Sequence, residues 1–252
     1  MIKLKDLLLE MSSEISSLNL LIPRRTEGRT EKYIQAIIKR YIKDKNVGDF
    51  DISELGLTTL PALLKNLKIG GNFFCSFNKL TSLVGAPVSV DLDFNCSDNN
   101  LDSLVGAPTG VGGGFLCHRN KLDSLVGAPT SVGGDFFCNN NLLKSLVGAP
   151  VSVGLDFFCG FNKLDSLVGA PVSVGGHFFC HRNKLTSLVG APTSVKNFYC
   201  NNNLLKSLDG LIRLDGVRTS VGGDFHCYDN AVKFTEEQVR AVCDVKGVVY
   251  TY

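Results

Sequence analysis

The sequence predicts an α/β solenoid, a stack of coils about 21 residues long with one parallel strand per coil. A helical cap is expected to close its N-terminal end and a short helix and strand its C-terminal end. Three observations predict it. Cysteines at positions 75, 96, 117, 138, 159 and 180 lie 21 residues apart, and Cys200 and Cys227 continue the series with one residue deleted and then six inserted. Phe stands two residues before every one of these cysteines, from Phe73 to Phe225. Asn stands three residues after every one, from Asn78 to Asn230. A fixed period of this length means stacked units, none of which buries its apolar edge alone.

Each repeat position has a physical reading. Phe and Cys two apart point to the same side of a short strand, so that side is core and the residue between them faces out. The Asn amide carries donors and an acceptor, enough to bond the backbone of neighbouring coils as an internal ladder at the turn. Leu80, Leu101, Leu122, Leu143, Leu164, Leu185 and Leu205 follow two residues after the Asn and add a further core row. Gly-Ala-Pro and Val-Gly-Gly then carry the return path, where Pro fixes φ and Gly permits tight bends. Stacking of such coils gives a right-handed solenoid with a parallel sheet.

Taken in order, residues 1–47 form an N-terminal helical segment and cap, 48–232 a solenoid of about nine coils, and 233–252 a C-terminal cap. Residues 1–22 carry Leu4, Leu8, Met11, Ile15 and Leu18, a helical stripe suited to a partner, to another copy of the chain, or to local packing. Pro23-Arg24-Arg25 breaks it, and Thr26 to Arg29 reads as a turn. From Thr30 to Lys45, Ile34, Ile37, Ile38, Tyr41 and Ile42 share one helical face, opposite Lys32, Lys39, Arg40 and Lys43. A basic amphipathic helix suits a membrane or phosphates. An open solenoid end equally demands a cap with a polar outer face, and the cap is the stronger reading.

Gly48 to Leu60 is a degenerate first coil, with Ile52 in the Cys place. The insertion after Leu208 is expected as a loop or helical turn on the return side. Thr235 and Gln238 make a capping box with a Phe234–Val239 staple, starting a helix that runs to about Cys243. Val248, Val249 and Tyr250 supply a last strand.

Composition bounds the function. The chain has 252 residues, 44% of them hydrophobic, and a formal charge of +2, which describes a folded domain without the basic excess of a nucleic-acid binder. No apolar run approaches the ~18 residues of a membrane span, and no h-region of a secretory signal follows Met1. Eight of the nine cysteines share the inward position and the ninth is Cys243. A row of buried free thiols acting as small hydrophobes in a reducing compartment is the plain reading. A disulfide or metal ladder is the alternative, although a straight row of ligands does not converge on one ion. No cofactor and no metal site are expected.

Phe-x-Cys-x-x-Asn-x-Leu has the spacing of a leucine-rich repeat, and the unit G-A-P-x-S-V-G-G-x-F-x-C-x-x-N-x-L-x-S-L resembles the leucine-rich repeats of tailed-bacteriophage and bacterial proteins. The resemblance covers about residues 48–232. The flank Leu21-Ile22-Pro23-Arg24-Arg25-Thr26-Glu27-Gly28-Arg29 is similar to N-termini of phage members, which implies a viral origin and a place in the cytoplasm of the infected cell or in the virion. Leu8-Leu9-Glu10 also resembles the end of a cleaved targeting segment in proteins carried inside phage heads. Secreted bacterial effectors with short leucine-rich repeats can be ubiquitin ligases, but those carry a large separate catalytic domain for which this sequence has no counterpart.

In such solenoids the outward strand residues line the concave face, and the fold alone assigns them no task. Their row reads Phe74, Asn95, Leu116, Phe137, Phe158, Phe179, Tyr199 and His226. The run of four aromatics from Phe137 to Tyr199 could expose an interaction-sized apolar patch, or simply stabilise a parallel sheet. Asp135 and Asp156 flank it on one side, His181 and Arg182 on the other. An aromatic centre with a polar rim is how protein interfaces are built. The expected function is therefore a non-catalytic protein-binding module with a host or virion protein as partner. A structural virion component and a glycan-binding solenoid are the alternatives. Asp135, Asp156 and His177 on adjacent coils are the one place where a cation is conceivable. Catalysis has no support: Cys117 and His118 are strand neighbours facing opposite sides, and no P-loop or nucleophile elbow is present.

Overall fold

The computed structural model of the chain describes residues 27–213 and 216–252. The stripe over residues 1–22, its role in self-association, the break at Pro23 and the Leu8-Leu9-Glu10 match lie outside the described residues.

The chain folds as a solenoid of parallel two- and three-residue strands arranged in two sheets. The first has ten strands, from Phe50–Asp51 through the Phe-x positions to Phe225–His226 and finally Val249–Tyr250. Its register stacks each Phe on the Phe one coil on, as Phe136 on Phe157 and Phe157 on Phe178. The nine buried Phe rings from Phe50 to Phe225 form one column, with neighbouring centroids 5.2 to 5.9 Å apart. Burial of each ring is worth about 1.5–3 kcal/mol, and the cysteines and leucines of the repeat complete the core beside the column.

The return path, expected to bend at Val-Gly-Gly, also carries a ladder. Its Ser-Val pairs build the second, nine-stranded sheet, from Lys68–Ile69 to Cys243–Val245. The Val of each pair is buried, while the Ser beside it lies at the surface or is only partly covered. Glycine is required where this path closes, since a Cβ at Gly154 would run into the Gly133 carbonyl one coil away.

Asn performs the predicted ladder role. Asn141 Nδ2 donates to the carbonyls of Cys117 and Cys138, 3.1 Å each, and its Oδ1 accepts the Leu122 N–H at 3.0 Å. Asn99, Asn120, Asn162 and Asn183 repeat the pattern. The sharp bend itself falls one residue earlier, where Phe77, Arg119, Phe161 and Arg182 hold φ between 53° and 56°. Irregular spacing leaves the register intact. The deletion shortens the link from Val195 to Phe198, and the insertion folds back as a small hairpin bridged at Ile212 and Arg218.

Both ends are closed. Helix α1 (Glu27–Lys43) starts three residues before the expected Thr30, inside the stretch read as a turn. It buries Ile34, Ile38 and Tyr41 against the first coil, with the Tyr41 ring edge-on to Phe50 at 5.0 Å. Ile42, expected on the same face, is exposed. Lys32, Lys39, Arg40 and Lys43 are exposed, the polar outer face that a cap needs. Helix α2 (Glu236–Val242) begins with the capping box, Gln238 N–H to Thr235 Oγ1 at 3.2 Å and Thr235 N–H to Gln238 Oε1 at 2.9 Å. Cys243 closes the helix as its C-cap, its N–H donating to the Val239 carbonyl, and opens the strand that follows.

Candidate interaction surface

The outward residues of the ten-stranded sheet form the candidate surface. Alternation along each strand turns the residue before Cys out, and register then stacks these residues coil upon coil. Phe137 meets Phe158 edge-on at 6.0 Å, Phe158 meets Phe179 at 5.1 Å, and Phe179 stacks on Tyr199 at 4.5 Å. The four rings singled out in the sequence are thus in one contiguous, partly exposed ladder.

The ladder continues past the four aromatics through His226, the last residue of the outward row read from the sequence, to Tyr250. His226 stacks on Tyr199 at 4.4 Å and Tyr250 on His226 at 4.3 Å. Tyr250 belongs to the C-terminal cap, where no Phe-x-Cys motif marks the strand; the signal was the Val249-Tyr250-Thr251 alternation.

Histidines thicken the ladder on both sides. His181 packs against Phe158, Phe161 and Phe179 at 5.3, 5.3 and 6.2 Å, and His177 against Phe179 and Tyr199 at 5.8 and 6.3 Å. His118 approaches Phe137 at 6.3 Å. All four histidines of the chain therefore border or join this one stripe. Burial pushes His118, His181 and His226 below the ordinary histidine value, so they are neutral near pH 7. The Arg182 guanidinium lies over the Phe161 ring, 5.1 Å from its centroid. Gly160 is the small residue that gives this group room: a Cβ there would meet Phe158 Cε2 at 2.7 Å and His181 Cε1 at 3.3 Å.

Other candidates sit apart. Phe74 pairs with Asn95 and joins no ring contact among the described residues, and Leu116 links Asn95 to Phe137 as a partly exposed aliphatic. Asp135 and Asp156 have a backbone task. Asp135 Oδ1 accepts the Asp156 N–H at 2.9 Å, and Asp156 Oδ1 accepts the His177 N–H at 2.7 Å. Asn72, Asp93, Asn197 and Asp224 do the same in their coils. Among the described residues no three His, Cys, Asp or Glu side chains converge to hold a metal ion.

All nine cysteines are free and buried, and burial pushes each thiol up, Cys227 and Cys243 to about 12. Cys117 and His118 do face opposite sides, Cys117 fully buried and His118 in the outer row. Elsewhere Val126, Val147 and Val168 form an exposed aliphatic stripe at the Gly-Ala-Pro edge. At its C-terminal end lies an apolar groove of about 890 Å³ between Val168, Val189, Ile212 and Val242. No helix among the described residues is long and apolar enough to cross a membrane.

No protein-family model matches the chain, and no curated protein sequence matches it. Among solved structures the chain is similar to YopM, a leucine-rich effector protein from Yersinia pestis, with 22% identity and a TM-score of 0.57 over 90% of this chain. The matched part is 61% of that protein, so the chain spans less than two thirds of its length. A second similar structure is YopM from Yersinia enterocolitica WA-314, at 16% identity and TM-score 0.44, covering 98% of this chain and 74% of that one. The first likeness joins the repeat spacing and the Asn ladder in establishing a leucine-rich-repeat fold.

Proposed function

We propose that the protein is a non-catalytic interaction module whose partner protein docks on the outer face of the ten-stranded sheet, over the ring ladder from Phe137 to Tyr199. The contiguity of that ladder carries the reading: partly exposed rings in mutual contact on successive coils, with polar groups along both margins, have the make-up of an interface core and rim. Sheet stabilisation alone accounts for it less well, because the inner Phe column and the Asn ladder already tie every coil to the next. The leucine-rich effector named among the similar structures agrees with an interaction role, though that likeness speaks to fold. The phage origin and the virion-component alternative draw on the repeat motif and N-terminal flank, and no feature of the fold favours them.

The test is a crosslinking pull-down with the full chain against two variants. One is Phe137→Ser, Phe158→Ser, Phe179→Ser; the other, Val126→Ser, Val147→Ser, Val168→Ser, alters the opposite exposed stripe. Melting curves of both are compared with wild type to exclude unfolding. A partner kept by the Val variant and lost by the Phe variant supports the reading. A partner kept by the Phe variant and lost by the Val variant moves the site to the Gly-Ala-Pro edge and its groove.

A further inference from the structure

Charge is distributed unevenly over the molecule, and the unevenness bears on what the ring ladder accepts. The whole chain carries 26 Lys and Arg against 24 Asp and Glu. The outer rows of the ten-stranded sheet are biased the other way. The row three before Cys holds Asp93, Asp135, Asp156 and Asp224, and the first coil adds Asp49 and Asp51 in register. Against these the same face offers Arg119 and Arg182. Arg119 is paired with Asp98 at 3.6 Å, and Arg182 is turned onto Phe161. Asp135 and Asp156 have no ion pair among the described residues. His118, His181 and His226, pushed below the ordinary histidine value by burial, add no positive charge near neutral pH.

The row of carboxylates along the partly exposed ring stripe, unmatched by ion pairs at Asp135 and Asp156 among the described residues, gives this face a negative potential. Guanidinium groups pack on aromatic side chains, and the protein shows one such contact at the margin of the stripe, with Arg182 over Phe161. We infer that the partner presents a basic segment, its Arg or Lys side chains laid on the Phe137–Phe158–Phe179–Tyr199 ladder and countered by Asp135 and Asp156. This rests on the reading that the ladder is the binding face, and names the chemistry of its occupant.

The row itself supplies a clean variant. Asn72 and Asn197 occupy the Asp position in their own coils and accept the same backbone N–H through Oδ1. Asp135→Asn, Asp156→Asn, Asp224→Asn therefore removes three charges and keeps the hydrogen-bond ladder. The probe is a fluorescein-labelled (Arg-Gly)6 peptide, with (Glu-Gly)6 as control, followed by anisotropy at low and raised salt.

The expected result is that wild type binds the Arg peptide, binds the Glu peptide at least tenfold more weakly, and loses affinity as salt rises. In the Asn variant, affinity for the Arg peptide falls at least tenfold and most of the salt dependence disappears, with an unchanged melting curve. Absence of Arg-peptide binding, equal binding of the two peptides, or an unchanged affinity in the Asn variant overturns the inference. The binding face is judged separately: a captured partner lost by the Phe variant but kept by the Asn variant leaves the face standing and removes only the basic occupant.

Discussion

At the scale of single residues, two polar positions do most of the repeat's backbone accounting. Asn141 bonds two carbonyls and one N–H across two neighbouring coils, and its replacement by Ala leaves all three buried groups without that partner. With each orphan costing about 1–3 kcal/mol less whatever water recovers, Asn141→Ala is expected to lower stability by about 2–4 kcal/mol in urea unfolding. A loss below about 1 kcal/mol would show that the ladder is dispensable. The Asn position was legible because one residue type recurs at it. The left-handed bend before it was not, since Phe77, Arg119, Asn140 and Asp229 share its φ without sharing chemistry. Likewise Asp135 and Asp156 read as rim residues, and only register shows that each also holds the next coil's N–H.

At the scale of elements, the caps decide whether the sheets end cleanly. Arg240 spans the C-terminal cap, with its Nε on Glu236 at 2.7 Å and its other nitrogens on the Val245 and Gly247 carbonyls at 2.6 and 2.9 Å. Helix α2 thus fixes the turn between the last strands of both sheets, and its capping box fixes α2. Thr235→Ala is expected to cost about 1 kcal/mol and to speed amide exchange over residues 243–250 while leaving the central coils unchanged. Exchange altered throughout, or nowhere, would contradict this division. The capping box was readable from Thr235 and Gln238 alone. The second sheet was not, because a two-residue Ser-Val strand flanked by Gly shows no alternation for a pattern to reveal.

At the scale of the molecule, the stacked thiols couple stability to alkaline pH. Burial raises each folded-state thiol above its ordinary value of 9.0. A folded pKa above the unfolded one gives stability that is complete below that value and lost as pH rises beyond it. The urea midpoint is expected to hold from pH ~7 to ~8 and to fall above ~9, by up to about 1.4 kcal/mol per pH unit for each thiol that ionises only on unfolding. A midpoint flat to pH ~10 would mean that the thiols ionise in place.

The central claim concerns the surface those coils display. Backbone hydrogen exchange of the full chain, free and bound to the partner recovered in the pull-down, tests it most directly. The expected result is protection concentrated at residues 135–139, 156–160, 177–181 and 197–201. Protection concentrated instead at the Gly-Ala-Pro edge, with those four segments unchanged, would contradict it.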